Sequence, residues 1–111
     1  MTAPTFDYTP SNKNDNKAAA QTNTVVWTPS SGYRAVIMGI VLATNGANTV
    51  SVDDSGSTTI VPSLYLPANG VAVISGGGAP LFEAATNLTI RYTSSAATNV
   101  SILVWGYETK Q

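Results

Sequence analysis

The chain has 111 residues, of which 43% are hydrophobic and only 10% charged, with five basic residues against six acidic and no histidine or cysteine. A chain of that length holds one domain plus an arm, and that composition excludes disulfides, thiolate sites and histidine-based acid–base or metal chemistry. The cations Lys13, Lys17, Arg34, Arg91 and Lys110 are scattered, so no basic stripe can follow a phosphate backbone and direct nucleic-acid binding is not expected. Ser, Thr, Asn, Gly and Ala fill the place of the missing charge. Two readings are consistent with that: a turn-rich all-β surface kept soluble by hydroxyls and amides, or a surface largely covered by partners, since interface cores are poor in charge. No apolar run reaches the roughly 18 residues of a membrane-spanning helix, and the polar N-terminus gives no expectation of a secretory signal.

In chain order, residues 1–21 are predicted to form an extended N-terminal arm. Pro4 and Pro10 interrupt it, and Ser11 to Lys17 is polar without a period. A purely solvating tail is one reading. Phe6 and Tyr8 favour another, an arm that lies on a neighbouring subunit and orders only there. Ala18 to Ala20 allows one helical turn at most.

Residues 22–111 are predicted to form a β-sandwich. A first strand covers Asn23 to Thr28, and Pro29-Ser30-Ser31-Gly32 is a turn. The long run Tyr33 to Thr44 follows, β-branched, free of proline and apolar on both faces. It stops at Asn45-Gly46, which predicts a hairpin into the alternating Thr49 to Asp53. Asp53-Asp54-Ser55-Gly56 turns into Thr58 to Val61. Pro62 then ends or bulges that strand, because proline cannot donate to a ladder. Leu64 to Leu66 continues it, and Pro67-Ala68-Asn69-Gly70 turns into Val71 to Ser75. Gly76-Gly77-Gly78 leads to Pro80, Leu81 and Phe82. Leu88 to Thr93 alternates cleanly, and Val100 to Tyr107 closes the chain, again apolar on both faces.

The pattern predicts an all-β fold, a Greek-key or jelly-roll β-sandwich of about seven to eight strands. The two doubly apolar strands should lie together at the centre of one sheet. Their outer faces would then merge into a patch larger than a monomer usually exposes. The expected oligomer interface is Tyr33, Ala35, Ile37 and Val41 on one strand with Leu103, Trp105 and Tyr107 on the other.

No catalytic constellation emerges, and no enzyme activity, cofactor or metal is expected. Asp53 and Asp54 are the best paired carboxylates, but neighbours in a strand point to opposite faces. Their loop lacks the spacing and the downstream Glu of a calcium site. Gly76-Gly77-Gly78 has no lysine after it and opens no helix, so it does not cradle phosphate. Asn87-Leu88-Thr89 and Asn99-Val100-Ser101 match a glycosylation pattern by chance. Trp27, Trp105 and the tyrosines suit a core or a subunit contact better than a sugar platform.

From Tyr33 to Tyr107 the chain resembles the small β-sandwich virion proteins of tailed bacteriophages. The residues that carry the likeness are the apolar strand ending in Thr44-Asn45-Gly46, the LPANG turn at 66–70, the Gly-rich loop into PLFEA at 80–84, the NLTIRYTSS strand at 87–95 and the aromatic end of the last strand. The resemblance implies a capsid decoration, or cement, protein on the outside of the virion. Its partners would be the major capsid protein, reached by Phe6 and Tyr8 of the arm, and itself as a homotrimer, without nucleic acid or membrane. A tail, fibre or adaptor component that binds a host glycan or another tail protein is the alternative, and a carbohydrate-binding domain outside any virus a third.

Overall fold

A computed structural model describes residues 8–110, with side chains from residue 10 onward. It contains nine strands and no helix among the described residues: β1 (Tyr8–Lys17), β2 (Gln21–Trp27), β3 (Arg34–Thr44), β4 (Asn48–Asp54), β5 (Thr59–Leu66), β6 (Val71–Ser75), β7 (Phe82–Glu83), β8 (Ile90–Ser94) and β9 (Val100–Thr109). Ala18 to Ala20, where a helical turn was conceivable, form an exposed bend.

The strands build two antiparallel sheets. One has the order β1-β9-β3-β6, with β7 also paired to β3, and the other the order β2-β8-β4-β5. Apart from the β4–β5 hairpin and the β6–β7 run along β3, each connection crosses from one sheet to the other. This is the wrapped order of a jelly roll. The two doubly apolar strands, β3 and β9, are direct neighbours at the centre of the first sheet, as their sequences predict.

Asn45-Gly46 does not make the expected hairpin. The chain there leaves β3 in one sheet and enters β4 in the other. A two-residue type I′ turn needs positive φ at both central residues, and neither Asn45 nor Gly46 has it. The corner is set by other contacts. Thr44 Oγ1 donates to the Gly46 carbonyl. The Asn48 side chain, only 2% exposed, donates to the Ala96 carbonyl and Thr98 Oγ1 and accepts from the Ser95 and Ala96 amides. A buried amide satisfied on both sides fixes this corner against the β8–β9 loop.

The core lies between the sheets. Trp27, Ile90 and Tyr92 meet Ile37, Ile40, Leu42, Ile102 and Val104, all essentially inaccessible. On β9 the alternation runs unbroken, with Val100, Ile102 and Val104 inward. On β3 it does not. Ala35 and Ile37 point inward, but so do Ile40 and Leu42. The register against β9 jumps between Ile37 and Gly39, a β-bulge that reverses the parity of everything after it. The bulge brings the Val36 carbonyl against Gly106, where an added Cβ would lie 1.9 Å from that oxygen. Gly106 is therefore required by close backbone approach. A Gly106→Ala substitution should cost about 1–3 kcal/mol as the strands are forced apart, read from urea denaturation; unchanged stability would mean the bulge opens freely.

The N-terminal segment is where fold and expectation differ most. Residues 8–17, placed by the sequence in an arm separate from the sandwich, form an edge strand paired with β9 from Tyr8↔Thr109 to Lys17↔Val100. Main-chain hydrogen bonds carry this strand, so it shows no apolar period. Its inward side chains are polar and meet polar partners. Asp15 accepts from Tyr92 Oη at 2.7 Å and from Lys17 Nζ at 2.6 Å. Further along, the buried Glu108 carboxylate accepts from Trp27 Nε1 at 2.9 Å and from the Ser30 amide at 3.0 Å, a bond between the sheets.

Burial works to raise the pKa of Asp15, but the bonds from Lys17 and Tyr92 outweigh it and hold the carboxyl below its ordinary 3.8. Burial likewise opposes ionisation of Glu108, and the Trp27 and Ser30 bonds prevail, holding it below its ordinary 4.5. Both folded values are depressed. The stabilisation is complete above the ordinary values and is lost as pH falls through the lower folded ones. Melting temperature should be level from neutrality to about pH 5 and fall below that. Glu108→Gln should lose about 1–3 kcal/mol at pH 7 and show a shallower acid limb; an acid limb identical to the parent's would remove Glu108 from this role.

Candidate functional site

The two sheets present different outer faces. On the β2-β8-β4-β5 sheet the outer face is polar along β4 and β8, where it carries a cross-strand ion pair, and exposes Val25 and Tyr65 on the flanking strands β2 and β5. Arg91 Nε donates to Asp53 Oδ1 at 3.0 Å and Nη2 to Oδ2 at 2.8 Å, from directly opposed positions. Asp54, one residue on, turns the other way. It is 2% exposed, and its Oδ1 accepts from the Gly56 and Thr58 amides. The two aspartates thus serve a sheet contact and a turn and do not converge. Among the described residues no group of three or more acidic, cysteine or histidine side chains is arranged to hold a metal.

On the β1-β9-β3-β6 sheet the outer face is apolar at its centre. Val71 and Val73 of β6 are 66% and 67% exposed. Val73 lies opposite Val41, and Val41 opposite Leu103 of β9. Trp105 continues the row with its indole over Gly39. An added Cβ on Gly39 would lie 2.1 Å from Cζ2 of Trp105, so only glycine leaves room for the ring. Along β1 the outward side chains Asn12, Asn14 and Asn16 stand opposite Trp105, Leu103 and Ser101 and border the apolar row with amides.

The structure divides the predicted interface residues. Val41, Leu103, Trp105 and Tyr107 share this outer face. Ala35 and Ile37 do not: both are 0% exposed in the core. A strict alternation of two carries them onto the face of Val41, but the bulge after Ile37 places them opposite. Val36 takes the outer position across from Tyr107, fully buried yet outside the core cluster. Tyr33 lies ahead of β3, half-buried, with Lys110 Nζ 5.9 Å from its ring centroid. Tyr8 opens β1, and Phe6 lies outside the described residues.

Sequence reasoning missed Val71 and Val73 as members of this face, although the alternation of β6 carries the signal. It also missed Glu108, which the unbroken parity of β9 points inward with Val104. Beside Val36, Arg34 Nη2 is 3.4 Å from Glu83 Oε1, while the buried Arg34 Nε has no hydrogen-bond partner.

No protein-family model matches the chain, and no curated protein matches it either.

The face assignment is directly measurable. Ile37→Ala should cost about 2–5 kcal/mol, as for a core deletion, whereas Val73→Ala should stay within about 0.5 kcal/mol in dilute solution. Equal losses in chemical denaturation would contradict the parity reversal.

Proposed function

We propose that this protein is a virion structural subunit, a capsid decoration protein of a tailed bacteriophage. It associates with copies of itself, as a homotrimer, and binds the major capsid protein on the outside of the head. The observation that supports this reading best is the outer face of the β1-β9-β3-β6 sheet, where Val41, Val71, Val73, Leu103 and Trp105 form one apolar row, whereas on the opposite sheet the exposed Val25 and Tyr65 stand apart, with polar residues between them. Burial of aliphatic side chains stabilises contacts by about 1.5–3 kcal/mol each, so such a row suffices to hold subunits together without ion pairs. The resemblance from Tyr33 to Tyr107 points the same way. The jelly roll is a fold of capsid and lectin domains, although fold alone carries no function.

With residues 8–17 seated on β9, the capsid-reaching role falls to the segment ahead of Tyr8, which includes Phe6. Attachment would rest on apolar contact and main-chain hydrogen bonds, and so tolerate salt.

Two measurements test the proposal. In sedimentation at micromolar concentration the protein should run as a trimer at low and high salt, and Val73→Asp should shift it to monomer without loss of fold. Heads carrying the protein should withstand a higher temperature than heads lacking it, because preferential binding to the assembled lattice stabilises that state, and density should appear on the shell. Equal failure temperatures, or density on the tail, would replace this reading with that of a tail or adaptor component.

A further inference from the structure

At one end of the apolar sheet three connections meet: the β3–β4 corner, the β5–β6 turn and the β8–β9 loop. Between them and the end of β1 lies an open cleft of about 320 Å³. That is at the lower end of the range of small-ligand sites. Its rim is built from the asparagines Asn16, Asn45, Asn69 and Asn99, with Ala43 and Val71 as its apolar floor, and no charged residue lines it.

The rim is held in place before any ligand arrives. The Thr44 amide donates to the Gly70 carbonyl at 3.0 Å, and the Asn45 amide to the Asn99 carbonyl at 3.1 Å. The Asn99 amide donates in turn to Asn45 Oδ1 at 2.9 Å. Asn69 sits at φ 59 in the turn closed by the Gly70 amide to the Pro67 carbonyl at 2.9 Å, the left-handed position of a type II turn, which asparagine tolerates. Asn69 thus lines the cleft from a fixed turn. Asn16 Nδ2 donates to Ser101 Oγ. No hydrogen bond among the described residues engages the side-chain amides of Asn69 and Asn99 or the Nδ2 group of Asn45.

We propose that this amide-rimmed cleft is a binding site for a neutral glycan. Asn69 and Asn99 each offer a donor and an acceptor on one amide, and Asn45 adds a donor, which matches vicinal sugar hydroxyls that donate and accept in turn. Val71 and Ala43 suit the C–H face of a sugar ring. An anionic or cationic ligand would find no counter-charge. An extended peptide is a poorer fit, because peptides add along open strand edges, and the two edge strands at this cleft, β1 and β6, reach it only with their end residues Asn16 and Val71. The prearranged rim lowers the ordering cost of binding. The site does not rest on the capsid reading. It shares only Val71 with the apolar row, and its amides lie beyond Val41, Val73, Leu103 and Trp105 at the end of the sheet, so sugar titration and sedimentation test the two separately.

The test uses the full chain in solution, labelled with nitrogen-15 and titrated with maltohexaose, cellohexaose and a mannan hexasaccharide, with a hyaluronan hexamer as the anionic control. At least one neutral oligosaccharide should shift the side-chain amide signals of Asn45, Asn69 and Asn99 and the backbone signals of Gly70 and Val71, and hyaluronan should not. Asn99→Ala, and Asn69→Gly, which keeps the turn conformation, should each weaken binding about fivefold, the loss of one neutral hydrogen bond. Asn12→Ala, on the same face but outside the cleft, should leave binding unchanged. Absence of shifts with all three neutral sugars, shifts centred elsewhere, equal binding of hyaluronan, or indifference to both cleft variants would overturn the proposal.

Discussion

The pairing of β3 with β9 across the middle of one sheet is the constraint on which the other features depend. Both strands are apolar on both sides, so wherever they lie, one side of the pair must face away from the core. The bulge after Ile37 decides which residues those are, and the missing side chain at Gly106 makes the bulge possible. Without it β3 would present Ala35, Ile37, Val41 and Ala43 to one face. With it, β3 gives two residues to the core before Met38 and two more after it, and the outer face receives Val41 beside Leu103. The apolar outer row is thus a product of backbone register as much as of composition.

Around that pair the sheet is completed by strands of opposite character. β6 is short, and its outward valines extend the apolar row. β1 is long and polar. It is held by its ladder with β9 and by carboxylates whose partners come from the other sheet, Asp15 with Tyr92 and, one strand over, Glu108 with Trp27. Such buried or half-buried carboxylates contribute only while fully bonded, because a lone one would bear its desolvation cost uncompensated. They bind the two sheets at the β1 side through the two largest buried side chains, Trp27 and Tyr92.

How far the sequence discloses this follows from which physical signal each element uses. Strands with a period of two against one core, such as β4 and β8, are legible, and so are the turns with Pro, Gly or Asp at demanding positions. The central placement of β3 and β9 follows from their double apolarity. β1 is not legible as a strand, because main-chain bonding leaves no trace in the polar sequence Ser11 to Lys17. The bulge is not legible either, and Ala35 and Ile37 are misplaced for that reason alone. Asn45-Gly46 looks like a hairpin turn because the dipeptide favours one locally, yet the pull of β3 toward β9 and of β4 toward β8 prevails. The amide-lined cleft was invisible for a related cause: its asparagines come from four distant stretches that only the wrapped topology brings together.

That wrapping also sets an order of events during synthesis. β9 is the last described strand, yet it is the partner that both β1 and β3 need. Until residues 100–109 have left the ribosome, the most hydrophobic strand of the molecule keeps one edge open, and the first strand has nothing to pair with. Pairings of such long sequence separation form slowly, and an unpaired apolar edge is the kind of surface on which nascent chains stick to one another. The polar character of β1 then acquires a second meaning: of the described strands, the one made first and kept waiting longest is the one that water tolerates best.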